Sequence, residues 1–290
     1  MTTFLQQVGR QVQAAREDAR EAPLFLFIGA WTLIMIMVPI LRWTVGEALF
    51  PLDISAGVVS QAVASLAAVR VVWGWRRMLS MAGVIVLCAW GIEYIGHTTG
   101  FPFGDYDYTS ILQPQIGGVP ILVPLAWLMM LPPAWAVANI LSQHVTGRVA
   151  QRLAFIGWSA LAFTAWDLFL DPQMVHWGLW VWNDPGALNY VGIPLSNYAG
   201  WLLASVLLTT IASGIAPVRR LPMRPLLLIY AISWFLETFG LIFFWNLPIP
   251  GIVGGLVMGG FLLAALRRYA ASEGALPTPL ADLTSAQRTP

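Results

Sequence analysis

The chain has 290 residues, of which 58% are hydrophobic and only 10% are charged. Soluble domains carry about 25% charged residues, so the composition excludes an ordinary soluble protein and indicates a membrane as the surroundings. All fifteen basic residues are arginine and the net charge is +1, which excludes lysine Schiff-base chemistry and leaves no basic patch for nucleic acid.

Apolar runs long enough to cross a bilayer follow one another along the chain. A hydrocarbon core of ~30 Å requires about 20 apolar residues per helix. The predicted fold is an all-α, polytopic integral membrane helical bundle with spans near 24–41, 54–73, 78–96, 119–142, 152–170, 196–216, 225–245 and 249–266. Prolines and five glycines make the eighth span the weakest of these predictions, so a bundle of seven membrane helices is the alternative.

The segments outside the spans complete the predicted organisation. Residues 1–22 are polar and lack the pattern of a signal peptide, and they are expected to form a cytoplasmic N-terminal segment with an interfacial helix. Residues 23–268 form a single transmembrane domain. Residues 269–290 mix small, polar and proline residues, which predicts a disordered cytoplasmic tail.

The eight spans separate the charges of the chain across the bilayer. Fourteen of the fifteen arginines flank the spans on one side, and only Arg42 lies on the other. The positive-inside rule assigns the arginine-rich side, with both termini, to the cytoplasm. The sequence therefore predicts a multi-pass protein of the cell (cytoplasmic) membrane whose acidic residues gather toward the outer face.

A short motif recurs in two of the predicted spans. Residues 89–96 and 233–240 both read small-Trp-x-aliphatic-Glu-x-x-Gly, which brings Glu93 and Glu237 to matching positions. The fifth span carries Asp167 after a tryptophan. Because all three spans run outward, the pattern predicts repeated helical hairpins that each bring one carboxyl group to a common centre. Chance similarity among tryptophan-rich membrane helices is the alternative.

A constant spacing supports the repeat. Glu93 precedes a Gly-Val-Pro at 118–120 by 25 residues, and Asp167 precedes a Gly-Ile-Pro at 192–194 by the same 25. Nine residues beyond each of these glycines comes a tryptophan, Trp127 in one case and Trp201 in the other.

The candidate catalytic residues are ionisable groups within or beside the spans: Asp167, Glu93, Asp171, Glu237 and His97. Glu93 and His97 are four residues apart, as are Asp167 and Asp171, so each pair shares one helical face. Such groups are costly in a membrane and are functional candidates by default. Hydrogen bonding to neighbouring helices in the protonated form is the structural alternative. With hardly any cation nearby, burial and mutual repulsion favour at least one protonated carboxyl group able to give a proton.

Two smaller patterns predict local structure. Asp184-Pro185-Gly186 is typical of a turn in the outer loop. Three glycines spaced four apart near the end of the chain predict close packing of the last helix: Gly251, Gly255 and Gly259. Three histidines are too few for a histidine-rich di-metal site, so no metal site is predicted.

Four stretches of the chain resemble a known family of carotenoid biosynthesis membrane proteins. They read EYIGHTTGFPFGDY at 93–106, GVPILVPLAW at 118–127, AWDLFLDPQM at 165–174 and YVGIPLSN at 190–197. The family is that of the CruF-type carotenoid 1,2-hydratases, which includes the bisanhydrobacterioruberin hydratases. The resemblance covers roughly residues 80–260, while the first two spans and the tails carry little of it.

The resemblance implies addition of water, without a cofactor, to the terminal C1=C2 double bond of an acyclic carotenoid end. Such a reaction needs an acid to protonate the alkene, aromatic walls to steady the cation, and a second group to orient water. We expect Asp167 or Glu93 to be the acid and the other candidates to position water, although acid and base are interchangeable on the sequence alone. The residues expected to contact substrate are Trp90, Trp166, Tyr106, Trp234 and Asn197.

The expected partners are membrane lipid, a hydrophobic carotenoid and water, with other carotenoid-synthesis enzymes as further candidates and no nucleic acid. Three other functions remain open. A carotenoid end-group cyclase begins with the same protonated alkene but keeps water out. A proton-coupled transporter would carry protons across the bilayer on its buried carboxyl groups. A structural membrane subunit of a pigment-synthesis complex would carry out no reaction.

Overall fold

The computed structural model describes the backbone of residues 2–274 and the side chains of residues 22–271. Seven α-helices fall in this part of the chain, α1 to α7 in order: Thr2–Thr44, Phe50–Thr99, Leu122–Ser142, Arg148–His176, Leu195–Ile215, Met223–Phe243 and Pro248–Gly274. Six short strands, β1 to β6, lie between them: Tyr106–Tyr108, Gln115–Ile116, Val119–Pro120, Trp180–Trp182, Asn189–Tyr190 and Ile193–Pro194. Each of these helices contains a stretch long and apolar enough to cross a membrane, so the predicted polytopic helical bundle is confirmed.

Helix α2 contains the second and third predicted spans in one element. Its backbone is non-helical at Gly74, with φ 74° and ψ 171°, and residues 50–73 and 75–99 lie on either side of this break. A straight helix would put Ile54 and Glu93 about 58 Å apart, yet both line the same cavity. The chain therefore reverses at Gly74, and α2 supplies two of the eight predicted crossings.

Helix α3 is the central helix of the bundle. In its most apolar stretch of 18 residues, 83% of the residues are buried, whereas the corresponding share for α1 is 28%. A helix that is hydrophobic on every side is expected to be surrounded by other helices. Its buried side chains include Trp127 and Trp135, and the indole N–H of Trp135 donates to the hydroxyl of Thr209 on α5 (3.0 Å).

The six strands form three two-stranded ribbons, which were not predicted. Two of them, β2–β3 and β5–β6, are hairpins in which Ile116 pairs with Val119 and Tyr190 with Ile193. Both residues of each two-residue turn have positive φ, as type I′ hairpins require. The third ribbon joins β1 and β4, from the two longest loops, in antiparallel register. We call the end of the bundle that carries these ribbons the ribbon end.

The predicted close packing of the glycine-rich last helix is confirmed. A β-carbon at Gly251 would lie 2.6 Å from Ile242, and one at Gly259 would lie 2.7 Å from the indole nitrogen of Trp234. Both neighbours belong to α6, so the small residues of α7 let the two helices approach closely.

Several predicted boundaries shift. Helix α1 runs unbroken through residues 2–44, so the N-terminal segment and the first span form one helix. Residues 119–120, predicted as the start of the fourth span, belong to β3 instead. Helix α7 continues to Gly274, beyond the predicted end of the transmembrane domain at residue 268, and the rest of the predicted tail lies outside the described residues.

Candidate active site

A cavity of about 70 Å³ lies at the ribbon end of the bundle, beneath the β1–β4 ribbon. The ribbon covers it because side chains alternate along a strand: Tyr106 is buried and Tyr108 half-buried, while Asp107 between them is exposed. The polar residues that line the cavity besides these tyrosines are Glu93, Asp171 and Asn197. Its other aromatic walls are Phe103, Trp127, Trp180, Trp182 and Trp201.

Glu93, near the end of α2, accepts hydrogen bonds from three side chains. The phenol groups of Tyr106 and Tyr108 both donate to Oε2 at 2.8 Å, and the indole N–H of Trp127 donates to Oε1 at 2.9 Å. The glutamate is 4% exposed. An ionised carboxylate only accepts hydrogen bonds. The indole N–H of Trp127 can only donate, whereas the two tyrosine hydroxyl groups can donate or accept, so this set of partners can satisfy an ionised Glu93.

The two tyrosines remain donors because their environment disfavours ionisation. Burial, together with the Glu93 carboxylate, raises the pKa of Tyr106 above its ordinary value of 10 and that of Tyr108 well above it. Both hydroxyl groups therefore keep their protons over the pH range in which the protein would be assayed.

Asp167 and Asp171 form a second carboxyl system one helical turn apart on α4. The amide of Asn197, on α5, donates to Oδ2 of Asp167 (3.1 Å) and to Oδ2 of Asp171. The indole N–H of Trp180 donates to Oδ1 of Asp171 at 3.2 Å. Asp167 is fully buried and its Oδ1 atom has no hydrogen-bond partner among the described residues. Of the pair, only Asp171 lines the cavity.

Charge compensation for these carboxyl groups comes from hydrogen bonds rather than from cations. Arg42 pairs with Glu47, and the Nδ1 atom of His97 lies 3.8 Å from Oδ1 of Asp107; neither contact involves a carboxyl group of the cavity. Since a buried carboxylate without a cation is expensive, the two systems cannot all be ionised together at low cost.

The predicted repeat brings Glu93 and Asp167 into one site, as the shared spacing of 25 residues indicated. Each of the two units places its carboxyl-bearing helix before a hairpin and then a helix that begins at Leu122 or Leu195. The two tryptophans at matching positions, Trp127 and Trp201, stack with ring centroids 4.5 Å apart and planes at 13°.

Glu237 does not join this centre. It lines a second cavity, which Gln173 also lines. His97 lies behind the ribbon, with its ring 5.9 Å from that of Tyr108 and its Nδ1 atom 3.8 Å from Oδ1 of Asp107. It does not line the cavity that contains Glu93.

The residues predicted to contact substrate lie in three different places. Tyr106 and Asn197 line the cavity, whereas Trp90 and Trp234 have packing roles: their indole N–H groups donate to the backbone carbonyls of Ile116 (3.0 Å) and Gly255 (2.8 Å). Trp166 lines the second cavity.

Sequence reasoning missed Tyr108 and the ribbon tryptophans Trp180 and Trp182 as site residues. The sequence does contain a signal for them: residues 106–108 and 180–182 both have two aromatic residues separated by one other residue. This spacing puts the two aromatic side chains on the same face of a strand. The exposed loop side chains behave as local structure: Asp184 Oδ1 accepts from the backbone N–H of Gly186 (2.9 Å), which confirms the predicted turn.

Comparison with known proteins shows the family of the chain. A family model described as carotenoid biosynthesis protein matches residues 53–261, more than two thirds of the chain, and so begins well before residue 80. A bisanhydrobacterioruberin hydratase from Haloarcula japonica is 32% identical over 184 residues, which cover 61% of this chain and 60% of that protein. The chain thus spans less than two thirds of the length of this relative. No solved structure matches the chain. The extent of the family match shows that this multi-pass membrane protein belongs to the carotenoid biosynthesis protein family.

Proposed function

We propose that the protein is a carotenoid hydratase, which adds water to the terminal C1=C2 double bond of an acyclic carotenoid end by acid catalysis. The observation that carries the proposal is the pairing of two carboxyl systems, at Glu93 and Asp171, in one cavity whose other walls are mostly aromatic and aliphatic. The relative named as a hydratase supports the same reaction class.

The acid in this proposal is Asp171, with Asp167 behind it. Two buried carboxyl groups that share the amide of Asn197 and have no cation beside them favour a state with one proton between them. Asp171 is the member that faces the cavity and can present this proton to an alkene. The sequence favoured Asp167 or Glu93, but Asp167 does not line the cavity, and the three partners of Glu93 can all donate to its ionised form.

Proton transfer from Asp171 to C2 forms the C2–H bond and leaves a tertiary cation at C1. The aromatic walls stabilise this cation, because the face of an aromatic ring attracts positive charge, by about 2 kcal/mol for a desolvated pair. Trp127 and Trp201 present a stacked pair of rings to the same cavity. The negative charge that develops on the aspartate pair is balanced by the cation itself.

Glu93 acts as the base that completes the addition. A water molecule forms the C1–O bond, and the proton it loses passes to the Glu93 carboxylate. Return of that proton to the aspartate pair restores the starting state, so the net change is one alkene and one water converted to one tertiary alcohol. The cell (cytoplasmic) membrane is the proposed location, with the polyene supplied by lipid and water entering from the ribbon end.

The proposal is tested by expressing the protein in a host that makes lycopene and measuring the mass of the pigments. We expect products heavier than the substrate by one water for each hydrated end. Asp171→Asn and Glu93→Gln are expected to lower product by about 100- to 10,000-fold, the usual contribution of a general acid or base. Asp107→Asn removes an exposed carboxyl group from the same ribbon and is the matched control.

Two results would overturn the proposal. A pigment isomer of unchanged mass would identify an end-group cyclase. Unchanged pigment, together with proton flux in liposomes that contain no carotenoid, would identify a transporter. Full hydration by both cavity variants would leave the activity in place but refute the roles given to Asp171 and Glu93.

A further inference from the structure

A second cavity, of about 320 Å³, lies beside the first and has a different character. It is enclosed by α1, the first half of α2, α4 and α6. The two cavities share lining residues, among them Ile54, Met129, Leu170 and Met174, so they adjoin along one wall. The larger volume suits a chain-like molecule better than a single end group.

This second cavity faces the surface of the bundle that is expected to contact lipid. Ile36 and Trp43 on α1 line it and are 45% and 63% exposed, and Phe235 and Phe239 on α6 line it and are 54% and 40% exposed. Both helices have apolar windows of the length that crosses a membrane. A hydrophobic chain can therefore enter from the bilayer between α1 and α6 without passing through water.

The inner wall of this cavity carries an acceptor and a donor that lack partners. Asp53 is 9% exposed and its Oδ2 atom accepts no hydrogen bond from the described residues. The indole N–H of Trp177 is likewise buried without a partner. The two lie on the same wall, because the ring of Phe50, one turn before Asp53, contacts that of Trp177 with centroids 4.8 Å apart. Buried polar groups are nearly always hydrogen-bonded, so this pair indicates a missing ligand.

Three other polar residues line the cavity. Gln61 donates to the hydroxyl of Ser233 at 3.3 Å, and Gln173 and Glu237 line the cavity together. No basic residue of the described part lines the cavity. Arg42 stacks over Phe50 and contacts Glu47 through Nε and Nη2, while its Nη1 atom has no hydrogen-bond partner among the described residues. Two carboxyl groups without a lining cation disfavour phosphates and carboxylates as ligands. A hydroxyl group fits, because it donates one hydrogen bond and accepts others.

We propose that this cavity is a binding site for the hydroxylated end of a long isoprenoid chain. The hydroxyl group donates to Asp53 and accepts from Trp177, while the chain extends toward lipid between α1 and α6. The identity of the chain rests on the proposed function, since hydration of a carotenoid end creates a tertiary alcohol beside this wall. The cavity then receives the product end as it leaves the cavity that contains Glu93.

The test is a retention experiment with purified protein in detergent. Equal amounts of an acyclic carotene whose terminal C1=C2 bonds are saturated, so that it cannot be hydrated, and of its 1-hydroxy derivative are added. Free pigment is removed, and the retained pigments are extracted and quantified. Wild type is expected to retain the alcohol about tenfold better than the hydrocarbon, the equivalent of about one hydrogen bond. Asp53→Leu and Trp177→Phe are expected to lose this preference, and Asp53→Asn, which keeps an acceptor oxygen, to retain most of it.

Two controls separate this site from its surroundings. Leu52→Ala changes an exposed neighbour of Asp53 and should keep the preference. Glu93→Gln alters the first cavity and should also keep it, because the readout needs no turnover. Trp177→Phe preserves the aromatic ring, so it remains informative if Asp53→Leu fails to fold.

Equal retention of alcohol and hydrocarbon by wild type would overturn the inference. So would a preference that survives in Trp177→Phe and in a folded Asp53→Leu. The inference and the proposed function fail separately: alcohol preference without hydration overturns only the activity, whereas hydration without alcohol preference overturns only the second site.

Discussion

Removing the phenol groups that hold Glu93 tests whether this residue acts as a carboxylate. Tyr106→Phe and Tyr108→Phe each delete one hydrogen bond of 2.8 Å to Oε2 while leaving the aromatic ring in place. A hydrogen bond to a charged group contributes about 1.5–3 kcal/mol. If the reaction uses ionised Glu93 as its base, each variant should slow hydration by about 10- to 150-fold.

The assay is the initial rate of alcohol formation by protein reconstituted in lipid vesicles with an acyclic carotene. Tyr94→Phe is the matched control, because this tyrosine lies beside Glu93 in sequence but is 41% exposed and stacks on Trp90. Its rate should equal that of wild type. Thermal unfolding of every variant shows whether a loss of rate reflects a loss of folded protein.

A double variant, Tyr106→Phe with Tyr108→Phe, gives the clearest refutation. If it folds and hydrates at the wild-type rate, the three-donor arrangement around Glu93 has no part in catalysis and the base must be sought elsewhere.

The pH profile adds an independent check. Because the pKa values of both tyrosines lie above the ordinary value of 10, the hydroxyl groups stay protonated below that pH, and wild type should show no loss of rate from their ionisation there.

Two further predictions concern the aspartate pair and the packing of the last helix. Asp171→Asn should reduce the hydration rate by about 100-fold or more, as loss of a general acid does. Asp167→Asn should reduce the rate only about tenfold, through the loss of a supporting hydrogen bond. If the Asp167 variant is the slower of the two, the assignment of Asp171 as the acid is refuted. Gly259→Val should destabilise the protein by about 1–3 kcal/mol through overpacking against Trp234. Gly260→Val, where nothing lies within 4 Å, should leave the melting temperature unchanged.

The membrane bundle was predictable because its signals are local and additive. Apolar runs of sufficient length identify the spans, and arginine placement predicts their orientation in the membrane. The ribbons were not predicted, since four of the six strands have only two residues and periodicity needs a longer run to stand out. The reversal within α2 was predicted as a loop between two spans. No signal in the sequence indicated that the helix would break at a single residue, Gly74.

The site was predictable where two signals coincided. Glu93 and Asp167 each lie on a helix predicted to run outward, and each is followed 25 residues later by a Gly-x-Pro hairpin. Glu93 lines the cavity, and Asp167 lies one helical turn from Asp171, which also lines it. Glu237 shares only the local motif around the glutamate. Its helix, α6, ends at Phe243 and is followed at once by α7, with no hairpin between them. The local motif sets the depth of a carboxyl group along its helix, but the direction it faces depends on what the helix packs against.

The β1–β4 ribbon joins the two repeat units at one candidate site. Tyr108 on β1 belongs to the unit of Glu93 and donates to it, while Trp180 on β4 belongs to the unit of Asp171 and donates to that residue. These two ribbon residues are register partners. A slip of the ribbon by one residue would turn Asp107 inward and both tyrosines outward, since side chains alternate along a strand. The ribbon register therefore determines which hydrogen-bond donors reach each carboxyl group. Those donors in turn determine which carboxyl group is suited to hold the proton.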